Sequence, residues 1–140
     1  MTTLAVITHP NGDEKHPVTL ANGQKVALRK ALHLLHQYVG DRQVAVLSSP
    51  AEAVATYAKS VAGHFIVDLS TCEGLLRDEK GNGINDGCDC IDDYLDERFG
   101  LIVVIAARDI STPLARKFSV QLKRELGEIH IPGMTHVYVI

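Results

Sequence analysis

The sequence has no tryptophan, only three cysteines and no long apolar run. Cys72, Cys88 and Cys90 are odd in number, and two of them are separated by a single residue, so a structural disulfide framework is not expected. No stretch approaches the roughly 18 consecutive apolar residues of a membrane-spanning helix, and the N-terminus lacks the pattern of a secretory signal. We therefore predict a protein of the reducing cytoplasm that does not enter the membrane.

An excess of charge of one sign is also absent, since 14 basic residues stand against 17 acidic ones. Without a large basic cluster, the sequence lacks the electrostatic footprint of a nucleic-acid-binding protein. Apolar residues make up 46% and charged residues 22%, which is typical of globular proteins, and 140 residues are enough for one substantial core. We predict a single domain over residues 1–140 that does not bind nucleic acid, and the sequence leaves its oligomeric state open.

The spacing of potential ligands does not favour a metal site. The Cys-x-Cys pair at 88–90 lacks the second pair of a structural zinc site, and His33 and His36 have no carboxylate or cysteine nearby in sequence. Residues 78–89 place a glycine where an EF-hand loop needs one, but Lys80 falls on a ligand position and an aspartate closes the loop. We predict no metal and no cofactor, and a solvated, mobile loop over 78–89.

Hydrophobic periodicity predicts alternating strands and helices. Short apolar runs typical of strands in a buried parallel sheet occur at 4–7, 44–47, 65–67, 101–105 and 136–140. Helical spacing predicts helices from an N-cap at Thr19 to Gly40, over 51–61, over 91–98, and from 109 or 111 to 126. The alternation predicts an α/β fold, a three-layer sandwich with a mainly parallel central sheet and helices on both faces. Ligands of such a sheet bind near the carboxyl ends of its strands.

Short motifs follow three of these strands. Residues 8–10 are Thr-His-Pro, residues 48–53 are Ser-Ser-Pro-Ala-Glu-Ala, and the strand at 101–105 runs into Ala-Ala. They resemble the Arg-His-Gly, the Ser-Ser-Pro-x-x-Arg and the late strand ending in His of the histidine phosphatase, or phosphoglycerate mutase-like, superfamily. The segment 18–23 is similar to the family's Leu-Thr-x-x-Gly, with its glycine displaced by one residue. The resemblance covers residues 4–62 and 101–140. In its small size the sequence is most similar to the short phosphohistidine phosphatase branch of the family. The resemblance implies a phosphoglycerate mutase-like fold.

The resemblance implies that His9 is the nucleophile that accepts a phosphoryl group. In the family, two arginines and a second histidine hold the phosphate oxygens, whereas this sequence has Thr8, Ala53 and Ala107 at or next to those positions. Each charge-assisted hydrogen bond to an anion contributes about 1.5–3 kcal/mol, so the three losses weaken phosphate stabilisation by roughly 5–9 kcal/mol if they add. At about 1.4 kcal/mol per tenfold change in rate, this removes most useful catalysis.

Substitute cations are available in the sequence. Arg108 follows the position of the lost histidine, and Lys15 and His16 lie on the loop after His9, although each is equally compatible with a solvated surface position. The neighbouring acids at 13 and 14 are candidate proton donors.

Two hypotheses follow. The first is a catalytically impaired histidine-phosphatase-like domain with a binding or regulatory role, which keeps a weak pocket around His9 for a small phosphorylated or anionic ligand, or binds a protein partner. The alternative is an unconventional phosphatase that acts on a phosphomonoester or a phosphohistidine protein through a His9 phosphoenzyme, helped by Arg108 or His16.

Overall fold

The fold is organised around a mixed β-sheet. The computed structural model describes residues 1–10, 15–76, 83–131 and 135–140. In these ranges the sheet has six strands: β1 (Thr3–Thr8), β2 (Gln43–Ser48), β3 (Leu69–Thr71), β4 (Phe99–Ala106), β5 (Gly127–Ile131) and β6 (Thr135–Val139). Their order is β3-β2-β4-β1-β6-β5. The first four are parallel to one another, and β6 pairs antiparallel with both β1 and β5.

Helices cover both faces of this sheet. They are α1 (Asn22–Leu35), α2 (Glu52–Phe65), α3 (Gly83–Asp92) and α4 (Arg108–Leu122), with short 3-10 turns at His36–Tyr38 and Glu73–Leu75. Side chains alternate along β1, so that Ala5 and Ile7 pack with α1 and α2, while Leu4 and Val6 pack with α3 and α4. The predicted three-layer α/β architecture is therefore confirmed. No helix in the described ranges is both long and apolar enough to cross a membrane.

The first helix, predicted with its N-cap at Thr19, begins later. Its N-cap is Ala21, whose backbone amide donates to the side-chain oxygen of Gln24 at 2.9 Å. This bond satisfies an amide at the start of the helix that the first turn leaves without a partner. The α-helix ends at Leu35 and is followed directly by the 3-10 turn at His36–Tyr38. The predicted end of the helix at Gly40 therefore lies just beyond this turn.

The strand predicted at 65–67 is wrong. Helix α2 continues to Phe65, Ile66 ends it with a left-handed backbone (φ 58°), and β3 begins only at Leu69. Phe65 is buried four residues after Val61, on the inward face of the helix. A run of three apolar residues cannot distinguish a strand from the last turn of a buried helix.

The helix predicted at 91–98 is also wrong. Helix α3 ends at Asp92, and the chain then turns, with the Asp96 carboxylate accepting a bond from the Arg98 amide at 2.7 Å. Local side-chain bonding of this kind stabilises turns in competition with a helix. Because α3 begins at Gly83, the predicted loop over 78–89 does not extend to its expected end. Residues 78–82 of the proposed calcium loop, Lys80 among them, lie outside the described residues.

The last helix and the C-terminal strands differ from the prediction in extent. Helix α4 ends at Leu122, because Lys123 adopts a left-handed backbone (φ 53°), rather than continuing to 126. Strand β5, which follows it, was not predicted. Its first residues, Gly127 and Glu128, are exposed, as expected of an edge strand, and an apolar pattern cannot reveal such a strand. The predicted terminal strand is confirmed as β6, antiparallel rather than parallel to its neighbours.

Two of the three cysteines form a disulfide, which corrects the expectation of no structural disulfide. Cys72, directly after β3, forms a disulfide with Cys90 of α3 across a sequence separation of 18 residues. Cys88 is a buried free thiol. Sequence spacing predicted otherwise because the partners are brought together by the packing of α3 against the 3-10 turn at Glu73–Leu75, which follows Cys72, and not by a repeated motif.

Candidate functional site

The carboxyl ends of β1, β2 and β4 lie side by side, as the motifs predicted. His9 directly follows β1, and its backbone amide donates to the carbonyl oxygen of Ala106 at the end of β4, at 2.8 Å. Ser49 follows β2, and its amide donates to the carbonyl oxygen of Ile105 at 3.3 Å. Two bonds therefore extend the sheet past its strands and hold the motifs at 8–10 and 48–53 against the same edge.

The imidazole of His9 is completely buried. Its ring meets the ring of Tyr57 edge to face, with centroids 5.8 Å apart and planes at 86°. Tyr57 extends from α2 one turn after Ala53, so the helix that follows β2 supplies both residues. Burial raises the pKa of Tyr57, which keeps its hydroxyl protonated at physiological pH. The immediate ring neighbour of His9 is thus a neutral phenol.

Hydroxyl groups occupy the sheet edge around His9. The side-chain oxygens of Thr8 and Ser111 are 2.7 Å apart and buried, which connects β1 to the first turn of α4. The Ser48 hydroxyl donates to the Ser49 carbonyl oxygen at 3.0 Å, and the Ser49 hydroxyl accepts from the Ala51 amide at 3.2 Å. These hydroxyls stabilise the strand ends and the entry into α2 by bonds within the chain.

The predicted substitute cations lie at the surface. Arg108 is the first residue of α4 and is exposed, two residues beyond the carbonyl that holds the His9 amide. Lys15 and His16 are exposed in the segment that precedes α1. By contrast, Ala53 and Ala107 are buried. The acids at 13 and 14 lie outside the described residues. The roles assigned to His9, Arg108 and His16 stay predictions.

His33 and His36, which are close in sequence, lie near a third histidine, His64. The rings of His33 and His36 have centroids 6.4 Å apart, and His64 from α2 lies 5.3 Å from His36. Burial, followed by the charges of His36, His33 and Arg29, lowers the pKa of His64. In the part of the chain that the structure describes, no group of three or more histidine, cysteine or acidic side chains is arranged to hold a metal ion.

Sequence patterns did not indicate Tyr57 or Ser111 as parts of the site. A signal existed for Tyr57, since it lies four residues after Ala53 and therefore on the same face of a helix. The sequence indicated Ser111 only as a possible start of the last helix. It is instead buried against Thr8, while Ala107 is the N-cap of α4.

The strand order, the two helical layers and a histidine directly after β1 define a protein with the phosphoglycerate mutase-like, or histidine phosphatase, fold. Similar solved structures include a mycobacterial glucosyl-3-phosphoglycerate phosphatase, with TM-score 0.57 and 11% identity over 89% of this chain and 81% of that one. A phosphohistidine phosphatase from Nakamurella multipartitia has TM-score 0.58 and 15% identity over 99% of this chain and 84% of that one. The phosphoglycerate mutase of Plasmodium falciparum has TM-score 0.50 and 17% identity over 88% of this chain and 71% of that one.

These similarities confirm the fold that the motifs implied. Identities of 11–17% show the fold alone, and one fold supports many activities. No protein-family model and no curated protein matches the sequence. What this chain does must therefore be inferred from its own side chains.

Proposed function

We propose that this chain is a histidine-phosphatase-like domain with a binding or regulatory role, which keeps only weak affinity for a small phosphorylated or other anionic ligand near His9 and hydrolyses it at a trace rate at most. The observation that carries the proposal is the surroundings of His9. Its imidazole is completely buried, and the side chains of Thr8, Ala53 and Ala107, where the family has cations, are uncharged and buried as well.

Charge explains why these replacements matter. A phosphoryl group in transfer carries negative charge on its oxygens, and enzymes stabilise it with arginines, lysines or metal ions already in position. An ion moved into a buried site without a partner is strongly destabilised. The hydroxyls of Thr8 and Ser111 can bond to an anion, but they already bond to each other and do not compensate its charge.

A phosphatase is the second candidate, and the comparisons favour it. Two of the similar structures are phosphatases, so the relatives support hydrolysis better than they support an impaired domain. His9 also lies directly after a central parallel strand, and Arg108 is close enough in the chain to the Ala106 carbonyl to supply a cation if α4 moves. In this alternative the His9 imidazole attacks phosphorus, the P–O or P–N bond of the substrate breaks, and the leaving group takes a proton from a general acid, for which the acids at 13 and 14 are the sequence's candidates. Water then hydrolyses the phosphohistidine, which frees the imidazole and inorganic phosphate.

Phosphate release from a panel of phosphomonoesters and a phosphohistidine protein distinguishes the two candidates. We expect a trace rate from the natural sequence and little change in His9→Ala. The phosphatase alternative predicts a brisk rate that His9→Ala abolishes and Arg108→Ala reduces, while the matched control Arg116→Ala, an exposed arginine of the same helix, does not reduce it. A robust rate that depends on His9 would overturn our proposal.

Adding cations back near His9 also tests whether their absence is what weakens phosphate binding. Installing Thr8→Arg, Ala53→Arg and Ala107→His should raise phosphate affinity before it raises turnover, because turnover also needs an aligned acid and a pre-organised nucleophile. All three positions are buried, so each variant is checked by thermal unfolding. Ala53→Arg alone is the most tolerant choice, since Ala53 borders a cavity. Unchanged phosphate affinity in a folded variant would contradict the charge argument.

A further inference from the structure

A cavity of about 510 Å³ lies between the segment 18–20, α1 and α2. Its apolar lining includes Leu20, Leu28 and Leu32, and Ala53 contributes only a methyl group to the wall. Small-molecule sites have volumes of roughly 300–1,000 Å³ and mostly apolar walls. The cavity therefore has the size and lining of a ligand site, and it runs along the two helices rather than across the strand ends.

Two buried polar atoms in the wall of this cavity lack hydrogen-bond partners among the described residues. They are the hydroxyl oxygen of Tyr57 and the Nε2 atom of His64. Tyr57 is only 5% exposed, so water does not readily replace a missing partner. Buried polar groups in folded proteins are nearly always bonded, and an exception calls for an explanation such as a ligand.

The charged residues that the structure describes in the wall are basic. Among the described residues, Lys25 and Arg29 of α1 line the cavity and no acidic residue does, and neither of the two forms an ion pair with a described acidic side chain. Arg29 is also close enough to His64 for its charge to act on the imidazole. The cavity thus combines an apolar interior with a positive mouth, which is complementary to an anion that carries an apolar body.

We propose that this cavity binds a small amphipathic anion, whose apolar body fills the space between α1 and α2 and whose carboxylate or phosphate group pairs with Arg29 and Lys25. A polar atom on the ligand accepts a hydrogen bond from the Tyr57 hydroxyl. The cations of this site belong to α1 and not to the surroundings of His9, although Ala53 is counted at both sites. Tyr57 is nevertheless shared, because its ring contacts His9 while its hydroxyl borders the cavity.

The probe for this site is 8-anilinonaphthalene-1-sulfonate, an aromatic anion whose fluorescence rises in an apolar environment. We expect saturable binding of one probe per chain to the natively folded protein. Arg29→Ala and Lys25→Ala should each raise the dissociation constant about tenfold, which corresponds to losing about 1.4 kcal/mol. The matched control Arg116→Ala, exposed on α4 across the sheet, should leave it unchanged.

Tyr57→Phe separates a ligand site from an empty packing defect. The variant keeps the ring and removes only the unbonded hydroxyl, so the fold should persist with an unchanged or raised melting temperature. Probe affinity should fall severalfold. A neutral analogue of the probe, N-phenyl-1-naphthylamine, should bind without sensitivity to Arg29→Ala.

Displacement of the probe identifies the anionic group. Displacement by 4-phenylbutyrate alone assigns a carboxylate ligand, and displacement by phenyl phosphate alone assigns a phosphate ligand. If neither compound displaces the probe, or if Arg29→Ala and Tyr57→Phe bind it like the natural sequence, the proposal is overturned. Phosphate release is not measured here, so a failure of this proposal is distinct from a failure of the function proposed for His9.

Discussion

At the scale of single residues, the contact between Thr8 and Ser111 links the strand that positions His9 directly to the helix α4. Their hydroxyl oxygens are 2.7 Å apart and buried. Thr8→Val keeps the shape of the side chain but leaves the Ser111 hydroxyl buried without this bond, which costs about 1–3 kcal/mol. We expect the free energy of unfolding, measured by urea titration, to fall by that amount.

A double-mutant cycle provides the control for this prediction. Because Ser111→Ala removes the other hydroxyl, the double variant should be less destabilised than the sum of the single ones, by a coupling of about 0.5–3 kcal/mol. Thr71→Val, at an exposed position of β3, should change stability little. Additive effects would mean that the two hydroxyls do not stabilise each other.

At the scale of elements, β4 packs unusually closely against the turn that follows α1. A Cβ atom on Gly100 would lie 2.7 Å from the carbonyl oxygen of Tyr38 and also clash with that of Val39. Backbone atoms cannot move aside as a flexible side chain can, so Gly100→Ala should destabilise the protein by at least about 1–3 kcal/mol, measured by urea unfolding.

The matched control for Gly100 is a glycine with open surroundings. Gly63 lies in α2, and nothing is within 4 Å of a Cβ atom built there. Alanine has the higher helix propensity, so Gly63→Ala should stabilise the protein by up to about 1 kcal/mol. Equal effects of the two substitutions would show that the close approach of β4 to the turn is not what requires glycine.

The disulfide connects two elements beside the site. Cys72 follows β3 and donates its amide to the Ser48 carbonyl oxygen at 2.8 Å, and Cys90 belongs to α3. Cross-links that close loops of this length stabilise proteins by about 3 kcal/mol, mainly by restricting the unfolded chain. Reductant should therefore lower the melting temperature of the natural sequence and leave that of Cys90→Ser unchanged.

Thiol titration checks the pairing independently. The unfolded, unreduced chain should show one reactive thiol, that of Cys88, and three after reduction, because the sequence contains three cysteines. Three reactive thiols before reduction would show that the pair does not form in the purified protein.

At the scale of the whole molecule, the two helices on one face of the sheet bring His64 beside His36, and this couples stability to pH. Burial and the neighbouring positive charges lower the pKa of His64 below its ordinary value of 6.5. The unfolded chain therefore binds a proton more readily than the folded one, so the free energy of unfolding should decrease as pH falls below about 6.5. Urea unfolding between pH 7.5 and pH 5.5 measures this decrease.

Substitution identifies the histidine responsible. His64→Gln should make the free energy of unfolding less dependent on pH in this window, whereas His130→Gln, at an exposed position of β5, should preserve most of the dependence. A dependence that is unchanged in His64→Gln would assign the effect to other groups.

Much of the architecture could be predicted from the sequence, for a physical reason that differs between elements. Strands β1, β2 and β4 are buried on both faces, so each is a continuous apolar run with few alternatives. Edge elements were less predictable. Strand β5 shows exposed residues, and the last turn of α2 carries an apolar run that also fits a strand. Burial, not propensity, decides such short segments.

The sequence by itself determined the α/β alternation and the meeting of three strand ends at His9, because hydrophobic periodicity is local and parallel strands align their carboxyl ends. Only the tertiary structure decided what surrounds that histidine. The Tyr57 ring, the Ser111 hydroxyl and the Cys72–Cys90 pair come from segments whose proximity depends on strand order and helix packing. Such contacts join residues as many as 103 positions apart in the chain, a distance over which no local pattern carries information.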